Sequence, residues 1–312
     1  NATEDNSNGT VSVTTSGVED GQVVTITLNG ATYTANVSSN AATVTITASG
    51  LQALSEGSET LTADVSDVAG NAAATVTSSS FTVDRTATIS AIATSAFSWG
   101  SHLNATEDNS NGTVSVTTSG VEDGQVVTIT LNGATYTANV SSNAATVTIT
   151  ASGLQALSEG SETLTADVSD VAGNAAATVT SSSFTVDTTV PTISAIATSA
   201  FSWGSHLNAT EDNSNGTVSV TTSGVEDGQV VTITLNGATY TANVSSNAAT
   251  VTITASGLQA LSEGSETLTA DVSDVAGNAA ATVTSSSFTV DTTVPTISAI
   301  ATSAFSWGSH LN

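Results

Sequence analysis

The chain repeats itself with a fixed period, and that period decides the architecture before any local pattern is read. Asn1-Ala2-Thr3-Glu4-Asp5 returns as Asn104-Ala105-Thr106-Glu107-Asp108 and again as Asn208-Ala209-Thr210-Glu211-Asp212, at spacings of 103 and 104 residues, and Asn312 opens a further copy. The copies are identical except at one joint, where Asp84-Arg85-Thr86-Ala87-Thr88 stands in place of Asp187-Thr188-Thr189-Val190-Pro191-Thr192. A solenoid repeat of roughly 20 to 45 residues cannot bury a core alone, whereas about 100 residues is an ordinary domain size. The period therefore predicts a string of domains.

Inside one copy the dominant period is two. Val24, Ile26 and Leu28 alternate with Thr25 and Thr27, Asn29-Gly30 supplies the positive-φ pair of a tight hairpin, and Tyr33, Ala35 and Val37 return. The same alternation predicts strands at 11–15, 42–47, 61–67, 74–77 with 81–83, and 89–93. The only helix-period segment is Leu51-Gln52-Ala53-Leu54. Seven or eight short strands, with turn signals about every ten residues, predict an all-β chain of tandem immunoglobulin-like antiparallel β-sandwich domains, about 104 residues each, in an extended rod.

The joint sets the domain register. Pro191 and Pro295 are the only prolines, and each stiffens the stretch that follows an FTVD strand. Cutting there gives complete domains at 85–187 and 188–291. It leaves 1–84 lacking its first strand and 292–312 as the first strand of a further repeat. An open strand edge is a template for strand addition, so head-to-tail complementation between chains is a further expectation.

Charge is the second constraint. Twenty-seven Asp and Glu face a single Arg and no Lys, for a net charge of −26. Nucleic acid is excluded as a partner, since phosphate recognition needs Lys and Arg. No apolar run approaches the roughly 18 residues of a spanning helix, and no signal-type segment opens the sequence, so no membrane insertion is expected. Without Cys there are no disulfides and no thiolate metal sites.

Each copy carries nine acids, placed by the strand reading almost entirely in loops. Two carboxylates about 4 Å apart repel by about 4 kcal/mol at an effective dielectric of about 20, against a total stability of roughly 5–15 kcal/mol. A counter-cation is expected, although acidic surfaces also serve solubility, and loop carboxylates, amides and carbonyls are the hard oxygen ligands that suit calcium. In the middle copy the candidate ligands are Asp170 and Asn174 of DVAGN, Asp187 and Asp123, then Glu122, Asp108 and Asp167. Their counterparts are Asp5, Glu19, Asp20, Asp64, Asp67, Asn71 and Asp84 in the first copy. In the third they are Asp212, Glu226, Asp227, Asp271, Asp274, Asn278 and Asp291. Glu159 and Glu162 of SEGSE read as solvated. Several calcium ions per repeat are expected.

The ADVSDVAGN hairpin followed by FTVDTTVPTI, within a repeat that also holds SAFSWGSHLNATEDNSNGTVSV, resembles the tandem bacterial immunoglobulin-like extender repeats of giant calcium-dependent adhesins of the repeats-in-toxin type, ice-binding ones included. The resemblance covers every copy. It implies a calcium-loaded sandwich on the bacterial cell surface that holds a distal binding domain away from the cell. It also implies interdomain calcium held by Asp170, Asn174 and Asp187, by Asp67, Asn71 and Asp84, and by Asp274, Asn278 and Asp291. Arg85 departs from the pattern and places a cation beside Asp84.

Catalysis has little to work with. His102, His206 and His310 recur in GSHLN with no thiol nearby and read as solvated loop residues, and an enzyme gains little from three identical sites in a row. Trp99, Trp203 and Trp307 read as core residues. The alternative to a spacer is an adhesive module that itself binds ice or glycan through rows such as Thr43, Thr45 and Thr47, although Thr is also the ordinary polar residue of a strand's wet face.

Overall fold

A computed structural model describes residues 1–311. The chain divides into two compact units, residues 1–101 with 110–185, and residues 102–109 with 186–312. The second contains one whole sandwich. Its elements are β1 (Thr192–Ile193), β2 (His206–Asn208), β3 (Gly216–Ser223), β4 (Val230–Leu235), β5 (Ala238–Asn243), β6 (Ala248–Ile253), the short helix α1 (Ala255–Gln259), β7 (Gly264–Glu266), β8 (Leu268–Asp271), β9 (Val283–Thr284) and β10 (Phe288–Asp291). They form sheets in the orders β1-β3-β6, β2-β10-β7 and β5-β4-β8-β9. The period-two residues point inward: Val218, Val220, Val231, Ile233, Val251 and Ile253 are completely buried in one core, while their alternating Thr neighbours face out. The β4–β5 hairpin turns on Asn236 (φ 48) and Gly237 (φ 77), both in the left-handed region, as the Asn-Gly pair requires.

Three features depart from the sequence reading. SEGSE is a strand: Gly264–Glu266 pairs antiparallel with Phe288–Val290 through main-chain groups that carry no hydrophobic alternation to betray it. GSHLN is also a strand, with His206, Leu207 and Asn208 pairing parallel with Thr289, Val290 and Asp291; the His206 ring lies beside the Ser205 hydroxyl, Nδ1 to Oγ 2.9 Å. The strand expected at 89–93 is only two residues long, because the chain leaves the edge after Ile89 to enter the turn Thr94–Ala96. Several acids thus sit at strand ends and not in loops, among them Asp271 on β8, Glu266 on β7 and Asp291 on β10.

In the first unit, residues 9–83, and residues 88–101 with 110–185, follow the same strand order. Gly112–Ser119 pairs with Ala144–Ile149 on one side and Thr88–Ile89 on the other. Among the described residues Gly9–Thr14 pairs with Ala41–Ile46 alone. Over its uncovered edge lies a groove of about 410 Å³, lined among others by Val11, Val13, Val24, Ile26, Leu61 and Val76. Segment 296–311 carries the sequence of 192–207 but pairs with nothing described, and Ile297 and Ile300 are exposed. Among the described residues no helix is long and apolar enough to cross a membrane.

Candidate metal centre

The DVAGN turn folds the same way in every copy. A backbone hairpin joins Asp170 to Asn174, with Asp170 N to Asn174 O at 3.1 Å and Gly173 N to Asp170 O at 3.2 Å. Both carboxylate oxygens of Asp170 then accept from Asn174, Oδ1 from the main-chain N–H at 2.7 Å and Oδ2 from the side-chain amide at 2.6 Å. This is an Asx-type closure that an Asp four residues before an Asn can make locally.

What differs between copies is what the turn meets. In the first unit Asn174 reaches back to the preceding repeat: its Oδ1 accepts from Ala2 N at 2.8 Å and its Nδ2 donates to Asp84 O at 2.9 Å, while Asn1 Nδ2 donates to Ala172 O at 2.8 Å. The second unit repeats the clamp with Asn278 on Ala105 N (2.8 Å) and Asp187 O (2.8 Å), and Asn104 on Ala276 O (3.0 Å). Asp170, Asn174, Asp274 and Asn278 are buried, whereas Asp67 and Asn71 make the same local bonds in the open. The Asn71 side chain, then its main-chain N–H, holds the Asp67 carboxyl below the usual carboxylate range.

Around Asp84 the electrostatics are unbalanced. Burial pushes its carboxyl above the ordinary range, and repulsion from Asp170, Glu122 and Glu56 pushes it further, against a single opposing hydrogen bond from Thr86 N. Glu122 is brought there because its Oε2 accepts from Val171 N at 2.9 Å, tying the VEDGQ turn to DVAGN; Glu19 does the same with Val68 and Glu226 with Val275. Arg85 relieves none of this. Contrary to its expected place beside Asp84, its guanidinium turns to the Asp5 carboxylate and to the carbonyls of Leu54 and Leu51.

Other candidates have local work. Asp20, Asp123 and Asp227 each accept from the N–H of Ser39, Ser142 or Ser246, the left-handed residue of a turn, at 2.7–2.8 Å. Asp64, Asp167 and Asp271 accept from Thr75, Thr178 and Thr282. Sequence reasoning missed Asn1 and Asn104, which open the first two periods, since their partners lie more than 170 residues away. It also missed the first Glu of SEGSE: Glu56 accepts from Arg85 N, and Glu263 from the N–H and hydroxyl of Thr292 and the hydroxyl of Thr293, which holds its carboxyl below the usual range. Among the described residues no three acidic or histidine side chains converge on one point. The donor set at the joint is nevertheless all oxygen, uncompensated and partly desolvated. That is the chemistry a hard divalent cation needs and a zinc ion does not.

A family model for bacterial Ig-like domains (group 3) matches residues 147–252. Among solved structures, one of a 1.5-MDa bacterial ice-binding adhesin, studied for host cell surface retention, is 30% identical over 94% of this chain and 93% of that one, with a TM-score of 0.47. One of a Ca2+-stabilised adhesin that helps an Antarctic bacterium reach out and bind ice is 30% identical over 94% of this chain and 71% of that one, with a TM-score of 0.40. An immunoglobulin-like domain of the M. primoryensis ice-binding adhesin is 31% identical over 33% of this chain and 98% of that one, with a TM-score of 0.24. No curated protein matches. The identity to the first of these is sustained along nearly the full length of both chains. With the family model it shows that this chain belongs to the bacterial immunoglobulin-like domains, as a tandem array of them.

Proposed function

We propose that the chain is a non-catalytic extender segment of a bacterial surface adhesin, working outside the cell, in which calcium stabilises each sandwich and stiffens the joints. The observation that carries this reading is the joint itself. A buried Asp–Asn pair locks onto the backbone of the preceding repeat while Asp84, Asp170 and Glu122 crowd together without a basic residue. Asp84, Asp170 and Glu122 would hold the ion in the first unit, and Asp187, Asp274 and Glu226 in the second. Asn174 and Asn278 position the turns. Identical copies suit a spacer, in which each adds length. Ice binding is a property of the similar adhesins; the outward Thr250 and Thr252 of this chain are the ordinary wet face of a strand. X-ray scattering tests the stiffening: the maximum dimension is expected to be longer with calcium than with chelator, and equal dimensions would discard it.

Asp84 gives a sharper test, because its sign reverses. An acid whose folded pKa is raised makes the metal-free chain less stable as pH rises from the unfolded value through the folded one, and acidification restores the loss. Asp84→Asn should therefore melt no lower than the parent at pH 7 in chelator, yet lower than the parent in saturating calcium, where a ligand has gone. Melting shifts of the same sign in both conditions would remove Asp84 from the site.

We also propose that the groove over Gly9–Thr14 accepts segment 296–311 of a second copy. In the third sandwich the identical segment 192–207 buries Ile193, Ile196, Phe201 and Trp203 against the residues equivalent to those of the groove. Its pairing of Ile193 with Thr222 transfers to Ile297 on Thr15. Light scattering should show head-to-tail chains at high concentration that Trp307→Ala abolishes; monomers throughout would refute it.

A further inference from the structure

We infer that the exposed Asp67–Asn71 turn docks a second copy of the chain, gripping that copy's third sandwich at Asn208, Ala209 and Asp291. The inference rests on the strand-donation reading above, in which segment 296–311 of one copy completes the first sandwich of another, but it concerns a separate surface.

Asn71 is one half of a clamp whose other half is missing. Asn278 wedges its side-chain amide between two groups of the preceding repeat, Oδ1 accepting from Ala105 N and Nδ2 donating to Asp187 O, both at 2.8 Å, and it is 4% exposed. Asn174 does the same with Ala2 N and Asp84 O. Asn71 makes only the inner bonds of the turn, main-chain N to Asp67 Oδ1 at 2.8 Å and Nδ2 to Asp67 Oδ2 at 2.7 Å, and lies in the open. Its Oδ1 meets no donor among the described residues.

The missing half is present in the third sandwich. Asn1 and Asn104 fix their turns by accepting at Oδ1 from the N–H groups two and three residues on, which leaves Nδ2 for Ala172 O and Ala276 O. Asn208 fixes the same turn, accepting from Thr210 N at 2.9 Å and Glu211 N at 3.1 Å, but its Nδ2 meets no acceptor among the described residues. The backbone beside it records the absent wedge. With Asn278 in place the strands of the second sandwich end at Leu103 and Val186, whereas in the third the parallel ladder runs one pair further, to Asn208 and Asp291. An asparagine amide inserted there would take over that last rung, as the Asn278 amide does between Ala105 and Asp187.

Strand donation brings the two halves together. Residues 291–311 have the same sequence as 187–207. In the second unit that stretch leads from Asp187 into the sandwich whose Asn278 grips Asp187, so a donated 296–311 carries Asp291 to Asn71 by the same path. The rings agree. Phe201, Trp203 and Phe288 form a trio in the third sandwich, whereas Phe305 and Trp307 stack on each other alone and Phe81 is 38% exposed. Seating the tail rejoins that trio across two copies.

Sedimentation equilibrium of the full chain measures the chain-to-chain Kd. It is run in saturating calcium, because docking sets Asp291 near Asp67 and Glu19, the counterparts of Asp84, Asp170 and Glu122. Asn71→Ala is expected to raise that Kd by about five- to tenfold, as the net loss of one or two hydrogen bonds does. Asn278→Ala, the same substitution at a joint within one chain, should leave it unchanged, and Trp307→Ala should abolish association. Asn208→Ala removes the other half of the contact and should raise Kd by about fivefold, which keeps the test decisive if Asn71→Ala fails to fold. Parental Kd values in Asn71→Ala and Asn208→Ala, with Trp307→Ala monomeric, overturn the docking surface and leave strand donation standing. Equal weakening by Asn71→Ala and Asn278→Ala also overturns it, since the effect would not belong to the contact between copies. A parent that stays monomeric at every concentration overturns both.

Discussion

Stripping calcium at pH 7 is expected to lower the melting temperature of the chain by roughly 10–20 °C. One ion bound only by the folded state, at a hundredfold excess over Kd, contributes about 2.7 kcal/mol, and for a domain of about 100 residues each kcal/mol moves Tm by about 4–8 °C. The effect is expected to be large because the sequence offers no substitute: 27 acids share one Arg, and that Arg is committed to Asp5. Asp84, Asp170 and Glu122 must repel one another across the joint once an ion leaves. Acid should erode the calcium-loaded chain by a separate route, since protonated ligands release the metal. Calorimetry in calcium and in chelator, at matched ionic strength, measures the shift. Coincident melting curves would remove calcium from the account of stability.

Much of this fold is legible in the sequence because its signals are local. The Asn236-Gly237 turn and the alternation of β3, β4 and β6 need only their own few residues, and all appear where the pattern puts them. The strands that escaped are those whose evidence lies elsewhere in the chain. Gly264–Glu266 has no apolar face, and it is a strand only because Phe288–Val290 passes beside it; His206–Asn208 pairs with residues more than 80 positions on. The candidate site divides the same way. Asp170 and Asn174 announce themselves as an Asx hairpin with hard oxygen ligands, but their burial depends on Ala2 and Asp84 of the preceding repeat, and residue type alone does not show that. The destination of Arg85 was illegible for a like reason. Proximity in sequence pointed to Asp84, while the long side chain reaches an anion 80 residues away.

Trp203→Ala is expected to cost about 3–5 kcal/mol, the usual penalty for emptying a buried large aromatic site, and so to unfold the third sandwich well before the others. Trp203 is 5% exposed, stacks on Phe201 with centroids 5.2 Å apart, and meets Phe288 edge-on at 5.4 Å. It therefore joins the segment before β2 to the last strand of the domain. The packing leaves no slack: a methyl group at Gly216 would lie 2.5 Å from the indole Cζ3, so Gly216→Ala should cost about 1–3 kcal/mol as an overpacked core does. The control is built into the chain. Trp307 occupies the same local sequence and stacks on Phe305 in the same way, yet it is 54% exposed. At concentrations where the chain is monomeric, Trp307→Ala should change stability by less than about 0.5 kcal/mol, as surface substitutions do. Denaturant titration of the two variants compares one residue type in one sequence context at two degrees of burial. Equal losses would mean that the indole acts through its neighbours in sequence; a loss confined to Trp203 means that it acts by filling the space between the sheets.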